Sequence, residues 1–230
     1  MIKSKTVQSK AGNLSVFVGQ SETPKYNVLL APGSGGDPSR HLKLLEFLVR
    51  NGCNVASPCF ERLTTSIPNA ESLKIRLDGL HSAARECLDP KLPLIGIGHS
   101  IGATLLLGLA GGQVWMDANH RVDCPSGLKF HKLILMAPAT GYFQAPDALE
   151  KVITPIQLWV GLRDQITPKT QVAMIEHRLS GRKLVDFRIV ENANHFSFMD
   201  ELPPTVQDTV ENRSLFLDSV YSEIWSFLNS

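Results

Sequence analysis

Short apolar runs of β character alternate with longer helix-like segments along most of the chain, and this alternation constrains the fold more than any other feature. Leu14-Ser15-Val16-Phe17-Val18 alternates with period two, as a half-buried strand does. Val28-Leu29-Leu30-Ala31 is continuously apolar and stops at Pro32-Gly33, the pattern of a strand buried on both faces. Residues 54–56, 94–97, 133–136 and 156–160 repeat that character, and residues 185–190 predict a last strand. Between them, residues 41–50 place Leu42, Leu44, Leu45, Phe47 and Leu48 mostly on one side and end before Asn51-Gly52, a helix-stop pair. Residues 72–87, 103–110 and 206–228 carry further helical patterns. In residues 168–179, Thr167 is the expected N-cap and Pro168 the first helical position. Strands of this kind separated by helices predict an α/β fold: a mostly parallel sheet of about eight strands with helices on both faces. The first two strands, joined by a short turn, predict an antiparallel hairpin at one edge.

Composition narrows the partners. The chain has 230 residues, enough for a substantial core, and no repeat or low-complexity linker divides it, so residues 1–230 read as one domain. A formal net charge of +1 without long charged runs argues against nucleic acid or an anionic membrane surface as the main partner. Cys53, Cys59, Cys87 and Cys124 form no C-x-x-C pair and no compact framework, which reads as reduced thiols in a cytoplasmic protein. The first residues lack the apolar stretch of a signal peptide, and no apolar run approaches a bilayer span, so no stable membrane insertion is expected.

Gly98-His99-Ser100-Ile101-Gly102 joins an expected strand to an expected helix. A serine on so sharp a turn has its hydroxyl clear of the sheet and its backbone strained. Glycines two residues before and after it remove side chains that would clash with the strand and the helix. Ligands gather at the carboxyl ends of strands in such sheets. Ser100 follows the strand ending at Ile97, Asp164 the strand ending at Val160, and His195 the strand ending at Val190. All three are therefore expected at one edge, in the chain order Ser, Asp, His.

In that order, in the elbow, in Gly161-x-x-Asp164-x-x-Thr167-Pro168 and in Asn194-His195-Phe196, the chain resembles the α/β-hydrolase superfamily over almost its whole length. The resemblance implies an α/β-hydrolase fold and a serine nucleophile, Ser100, activated by His195, with Asp164 orienting the imidazole. Asp123, Asp147 and Glu191 are rival acids, and Asp147 is the serious competitor because it lies just past the end of a strand. His99, beside the nucleophile, reads as structural. The remaining histidines have no metal-like spacing with Cys or carboxylates, so neither metal nor cofactor is expected.

Pro32-Gly33-Ser34-Gly35-Gly36 stands where the superfamily places its first oxyanion loop, although many members have His-Gly where this chain has Pro32-Gly33. The implied oxyanion donors are the N–H groups of Ser34 and Ile101. No Gly-Lys-Ser/Thr follows, so a phosphate-binding P-loop is disfavoured. Residues 138–154 are too few for a helical cap domain, so a minimal lid is expected. Gly33, Cys59, Phe60, Tyr142, Phe143 and Phe196 are candidate substrate contacts, with Phe198 a further wall candidate. Each aromatic is equally plausible as simple core. A lidless chain of this size resembles the small carboxylesterases and the dienelactone-hydrolase-like group, with Ser100 where the latter carry Cys. The expected activity is hydrolysis of a small or medium acyl ester, or a thioester. Acyl transfer or cofactor-free perhydrolysis at the same residues, and a non-catalytic binding protein, are the alternatives. Residues 113–130 read as a polar insertion without an assigned function.

Overall fold

A hairpin opens the chain: β1 (Lys3–Ser9) and β2 (Gly12–Gly19) pair antiparallel, from Lys3 opposite Val18 to Ser9 opposite Gly12. The structure, a computed structural model, describes residues 1–65, 67–182 and 184–230. β3 (Tyr26–Ala31), α1 (Leu42–Arg50), β4 (Cys53–Pro58), α2 (Ala70–Cys87) and β5 (Leu94–His99) follow. α3 (Ile101–Leu109) begins one residue after β5. β6 (Val114–Trp115) and β7 (Arg121–Val122) form a separate antiparallel ribbon inside the polar insertion. β8 (Phe130–Met136), β9 (Ile156–Gly161), α4 (Lys169–Leu179), β10 (Val185–Val190) and α5 (Arg213–Leu228) complete the order.

Among the described residues, eight strands form one sheet in the order β1-β2-β4-β3-β5-β8-β9-β10. β2 runs antiparallel to both neighbours, and every pair from β4 to β10 is parallel. Alternation along the central strands sorts the core into two layers. Leu29, Leu133, Leu135, Leu158 and Val160 face α2, α3 and α4. Val28, Leu30, Ile95, Ile97, Ile134 and Met136 face α1 and α5. Central strands buried on both sides must read as continuous apolar runs, which is why they were legible in sequence.

All five helix starts differ from their sequence patterns; α3 begins at Ile101 rather than 103, directly after Ser100. α2 begins at Ala70, because the Asn69 side chain accepts from Ser72 N–H. α5 begins at Arg213 rather than 206. The intervening chain is held irregular by the Asp208 carboxylate, which accepts from Thr209 N–H and Arg213, and Asn212 caps the helix. α1 follows a short 3-10 turn, Pro38–His41, and its first N–H groups at Lys43 and Leu44 bond to the distant Asp200 carboxylate. α4 begins at Lys169 with Pro168 at the cap position, and the Thr167 side chain is used elsewhere.

Candidate active site

Ser100 occupies the junction of β5 and α3 with φ 54° and ψ −125°. Its N–H donates to Met136 O at 2.9 Å, which ties the turn to the end of β8. A Cβ on Gly98 would lie 2.7 Å from Ala103 N, and one on Gly102 would lie 2.1 Å from Ala31 O. The two glycines thus let α3 close onto β5 and onto the end of β3. Ala137, the residue after β8, also has positive φ, 48°. Its N–H donates to Trp159 O, and its carbonyl lies 3.1 Å from Thr167 Oγ1. Such conformations cost on the order of 1–3 kcal/mol each and persist only where the surroundings over-determine them.

Asp164 stands in the loop after β9, which Gly161 brings close to the His195 loop: a Cβ there would lie 2.1 Å from Ala193 O. Asp164 Oδ1 accepts from Ile166 N–H and Thr167 N–H, each at 2.8 Å. Oδ2 accepts from Thr167 Oγ1 at 2.8 Å and from His195 Nδ1 at 2.9 Å. Thr167 Oγ1 is also 3.1 Å from His195 Nδ1, but its single proton goes to the nearer carboxylate. The expected N-cap of α4 is therefore a buried hydrogen-bond partner of the Asp164 carboxylate. Burial pushes the Asp164 carboxyl up, but the bond to His195, the charge of His195 and the Thr167 N–H and hydroxyl outweigh it. The net direction is down, so the carboxylate is ionised at neutral pH. A carboxylate can only accept, so Nδ1 carries the imidazole proton and Nε2 presents a lone pair.

His195 is buried, 4% exposed, with its ring 5.1 Å edge-on from Phe196 and 4.9 Å from His99. His99 Nε2–H donates to the His195 carbonyl at 2.7 Å, which anchors the loop from below. Behind His99 lies His41, with ring centroids 5.8 Å apart. Among the described residues, neither ring nitrogen of His41, nor His99 Nδ1, has a hydrogen-bond partner. Burial, reinforced by Arg40 and opposed by Asp37, lowers the His41 pKa to about 4. Burial, with His195 and His41 beside it, also holds His99 well below its usual range.

A neutral buried histidine makes stability fall as pH drops from the unfolded pKa of about 6.5 towards the folded value, because only the unfolded chain takes up the proton. His41 alone should remove about 2 kcal/mol between pH 6.5 and pH 5. Urea unfolding at those two pH values should show a drop that shrinks in His41→Phe; an unchanged drop would mean that His41 is not held neutral.

Gly33 follows β3 and is buried beside Ser100: a Cβ there would lie 3.0 Å from His99 Nδ1 and 3.5 Å from Ser100 Cβ. Ser34 is exposed, and Ile101 is the first residue of α3. No backbone carbonyl among the described residues accepts from either N–H.

The other candidates separate. Tyr142 and Phe196 are half-buried. Phe143 is fully buried, with a Cβ on Gly112 placed only 3.1 Å from its ring, so it belongs to the core and not to a pocket wall. Phe198 is likewise buried, against Trp159 and Phe216. Cys59 and Phe60 line a groove of about 380 Å³ with Leu63, Ile75 and Arg76. The rival acid Asp147 is exposed near Gln113, and Asp123 and Glu191 are exposed as well. Among the described residues, no group of three or more His, Cys, Asp or Glu is arranged to hold a metal ion. Among the described residues, no helix is long and apolar enough to cross a membrane.

Three groups at this site escaped the sequence reading: Thr167 as a partner of Asp164, the buried His41, and Arg76. Arg76 left a signal, a cation inside the apolar stripe of Leu73, Leu77 and Leu80 on α2.

No protein-family model matches this sequence, and a search of curated proteins finds no relative. Solved structures resemble it closely in fold and weakly in sequence. An esterase of Pyrococcus furiosus superposes with a TM-score of 0.70 at 14% identity, over 100% of this chain and 92% of the other. A carboxyl esterase of Bacillus coagulans, described as highly thermostable, gives 0.68 at 14% identity over 99% and 98%. A serine hydrolase of Xanthomonas campestris, described as lacking a lid, gives 0.63 at 20% identity over 85% and 86%. The chain has the α/β-hydrolase fold.

Proposed function

We propose that this α/β-hydrolase-fold chain is a serine hydrolase that cleaves small or medium acyl esters, with thioesters as the second carbonyl class. The observation that carries the reading is the buried Asp164–His195 pair at 2.9 Å, set at the same sheet edge as a serine strained to φ 54°. An ionised carboxylate orienting an imidazole beside an elbow serine is what a nucleophile of ordinarily high pKa requires.

In this mechanism Ser100 Oγ attacks the acyl carbon while His195 Nε2 takes the hydroxyl proton, and Asp164 stabilises the imidazolium. The Ser34 and Ile101 N–H groups receive the oxyanion. The tetrahedral intermediate collapses with transfer of the proton from His195 to the leaving alcohol or thiol. Water, deprotonated by the same imidazole, then attacks the acyl-Ser100 ester and releases the acid. The substrate size follows from the connection after β8, whose short 3-10 turn, Thr140–Phe143, is half core and forms no cap domain. Leu162 and Ile166, exposed on the acid loop, and the half-buried Phe196 offer apolar contacts for an acyl chain.

Intact-mass spectrometry after fluorophosphonate treatment tests the reading. One adduct on the wild type and none on Ser100→Ala is expected. A folded wild type that takes no adduct would remove the hydrolase reading and favour a binding protein. Asp164→Asn should lower kcat on an activated acyl ester by roughly 10³- to 10⁴-fold. Asp147→Asn should leave it near wild type; the reverse pattern would move the acid to Asp147.

A further inference from the structure

Arg76 is a buried cation, 2% exposed, on the core-facing side of α2. No carboxylate among the described residues pairs with it. Its guanidinium is spent on three backbone carbonyls. Nη1 donates to Gly33 O at 2.7 Å, and Nη2 donates to Ser34 O at 2.9 Å and Glu61 O at 2.6 Å. The Phe60 ring lies 5.1 Å from the guanidinium carbon and fills the space left by Gly79, one turn on, where a Cβ would come within 2.7 Å of it. Burial lowers the Arg76 pKa to about 10, so the group is still charged at neutral pH.

Burying a charge is costly, and an apolar residue of similar volume would pack α2 at least as well. The carbonyls it binds explain its presence. Gly33 O and Ser34 N–H belong to one trans, planar peptide and point in opposite directions. Gly33 O is pinned towards Arg76, with a second bond from Gly36 N–H at 3.0 Å, so Ser34 N–H is directed away from α2. Ser34 O is pinned likewise by Arg76 and by Leu63 N–H at 2.9 Å, which fixes the next peptide. The Gly33 backbone meanwhile lies against His99 and Ser100. A peptide whose carbonyl accepts from a cation is polarised, and its N–H becomes a stronger donor in a low-dielectric setting.

We propose that Arg76 is a positioning residue for the Ser100 site: it orients the Gly33–Ser34 peptide towards the developing oxyanion and holds a positive charge behind it. This rests on the serine-hydrolase reading above. Arg76 touches no substrate, and its effect is confined to species that carry negative charge on the former carbonyl oxygen.

The test compares wild type, Arg76→Met and Arg76→Lys, with an activated acyl ester as substrate, a trifluoromethyl ketone as oxyanion-forming inhibitor, and the corresponding methyl ketone as a ground-state analogue. Arg76→Met should lower kcat/KM on the order of 100-fold, mostly in kcat, as the loss of one oxyanion donor does. Trifluoromethyl ketone affinity should fall in step while methyl ketone affinity holds, and Arg76→Lys should fall between. If Arg76→Met does not fold, Arg76→Lys carries the comparison. In the unmutated protein, the Ser34 amide proton should move downfield when the trifluoromethyl ketone adduct forms. Equal losses of both ketone affinities, an unchanged kcat, or a Ser34 amide that does not respond would overturn the proposal while leaving fluorophosphonate labelling of the wild type intact. A wild type without labelling would overturn the hydrolase reading and this inference together.

Discussion

Ser100→Ala and His195→Ala should each lower kcat on an acyl ester on the order of 10⁴- to 10⁶-fold, and the double variant should be scarcely worse than either alone. The reason is mechanical. The Ser100 hydroxyl is a poor nucleophile until its proton has somewhere to go, and a base with no proton to accept contributes nothing further. In the proposed mechanism His195 is the base, and it is held in place by the bond from its Nδ1 to Asp164 Oδ2 at 2.9 Å and by the His99 bond to its own carbonyl at 2.7 Å. Single-turnover kinetics on the three variants check the pattern. Losses that multiply would show two independent contributions and exclude a nucleophile–base unit.

Gly102→Ala should have the second large effect, on both folding and turnover. The added Cβ would lie 2.1 Å from Ala31 O and 2.5 Å from Pro32 O, both backbone atoms that no rotamer change can clear. α3 must then part from the end of β3, where the loop carrying Gly33 and Ser34 begins. Overpacking of this kind costs about 3 kcal/mol, equivalent to roughly 6–12 °C of Tm in a chain of this size. The soluble fraction should also lose activity, because the same displacement separates Ser100 from the Ser34 N–H. Gly141→Ala, at a position with open space within 4 Å and no positive φ, is the control and should be near neutral. A Gly102→Ala protein as stable and active as that control would mean that α3 does not approach β3 this closely.

Much of the placement of this candidate site is legible in the sequence. Ser100, Asp164 and His195 each follow an apolar run, and a parallel sheet must deliver such positions to one edge. The choice of Asp164 over Asp147 was harder, since both lie beyond strand ends. In the structure Asp147 turns to Gln113 at the surface whereas Asp164 is enclosed with His195 and Thr167, and the proposed mechanism takes Asp164 on that ground. Thr167 shows how a local rule can be displaced. A Thr-Pro pair before a helical pattern reads as a cap, yet its hydroxyl is used on the carboxylate three residues earlier. Phe143 illustrates the same limit for aromatics, since nothing in a sequence tells a pocket wall from a core residue.

What the sequence determined by itself is the class of fold, the order of its main strands along the chain and the sheet edge that Ser100, Asp164 and His195 share. These follow from local rules, namely the burial of apolar runs, the two periodicities and the glycines of the elbow, which act over a few residues at a time. Only the tertiary structure decided which partners meet. Arg76 reaches Gly33 across 43 residues of chain, His99 reaches His195 across 96, and Asp200 caps α1 across 157. Such contacts are set by how the layers pack, and a side chain's hydrogen-bond partners become definite only when the elements that carry them have been brought together.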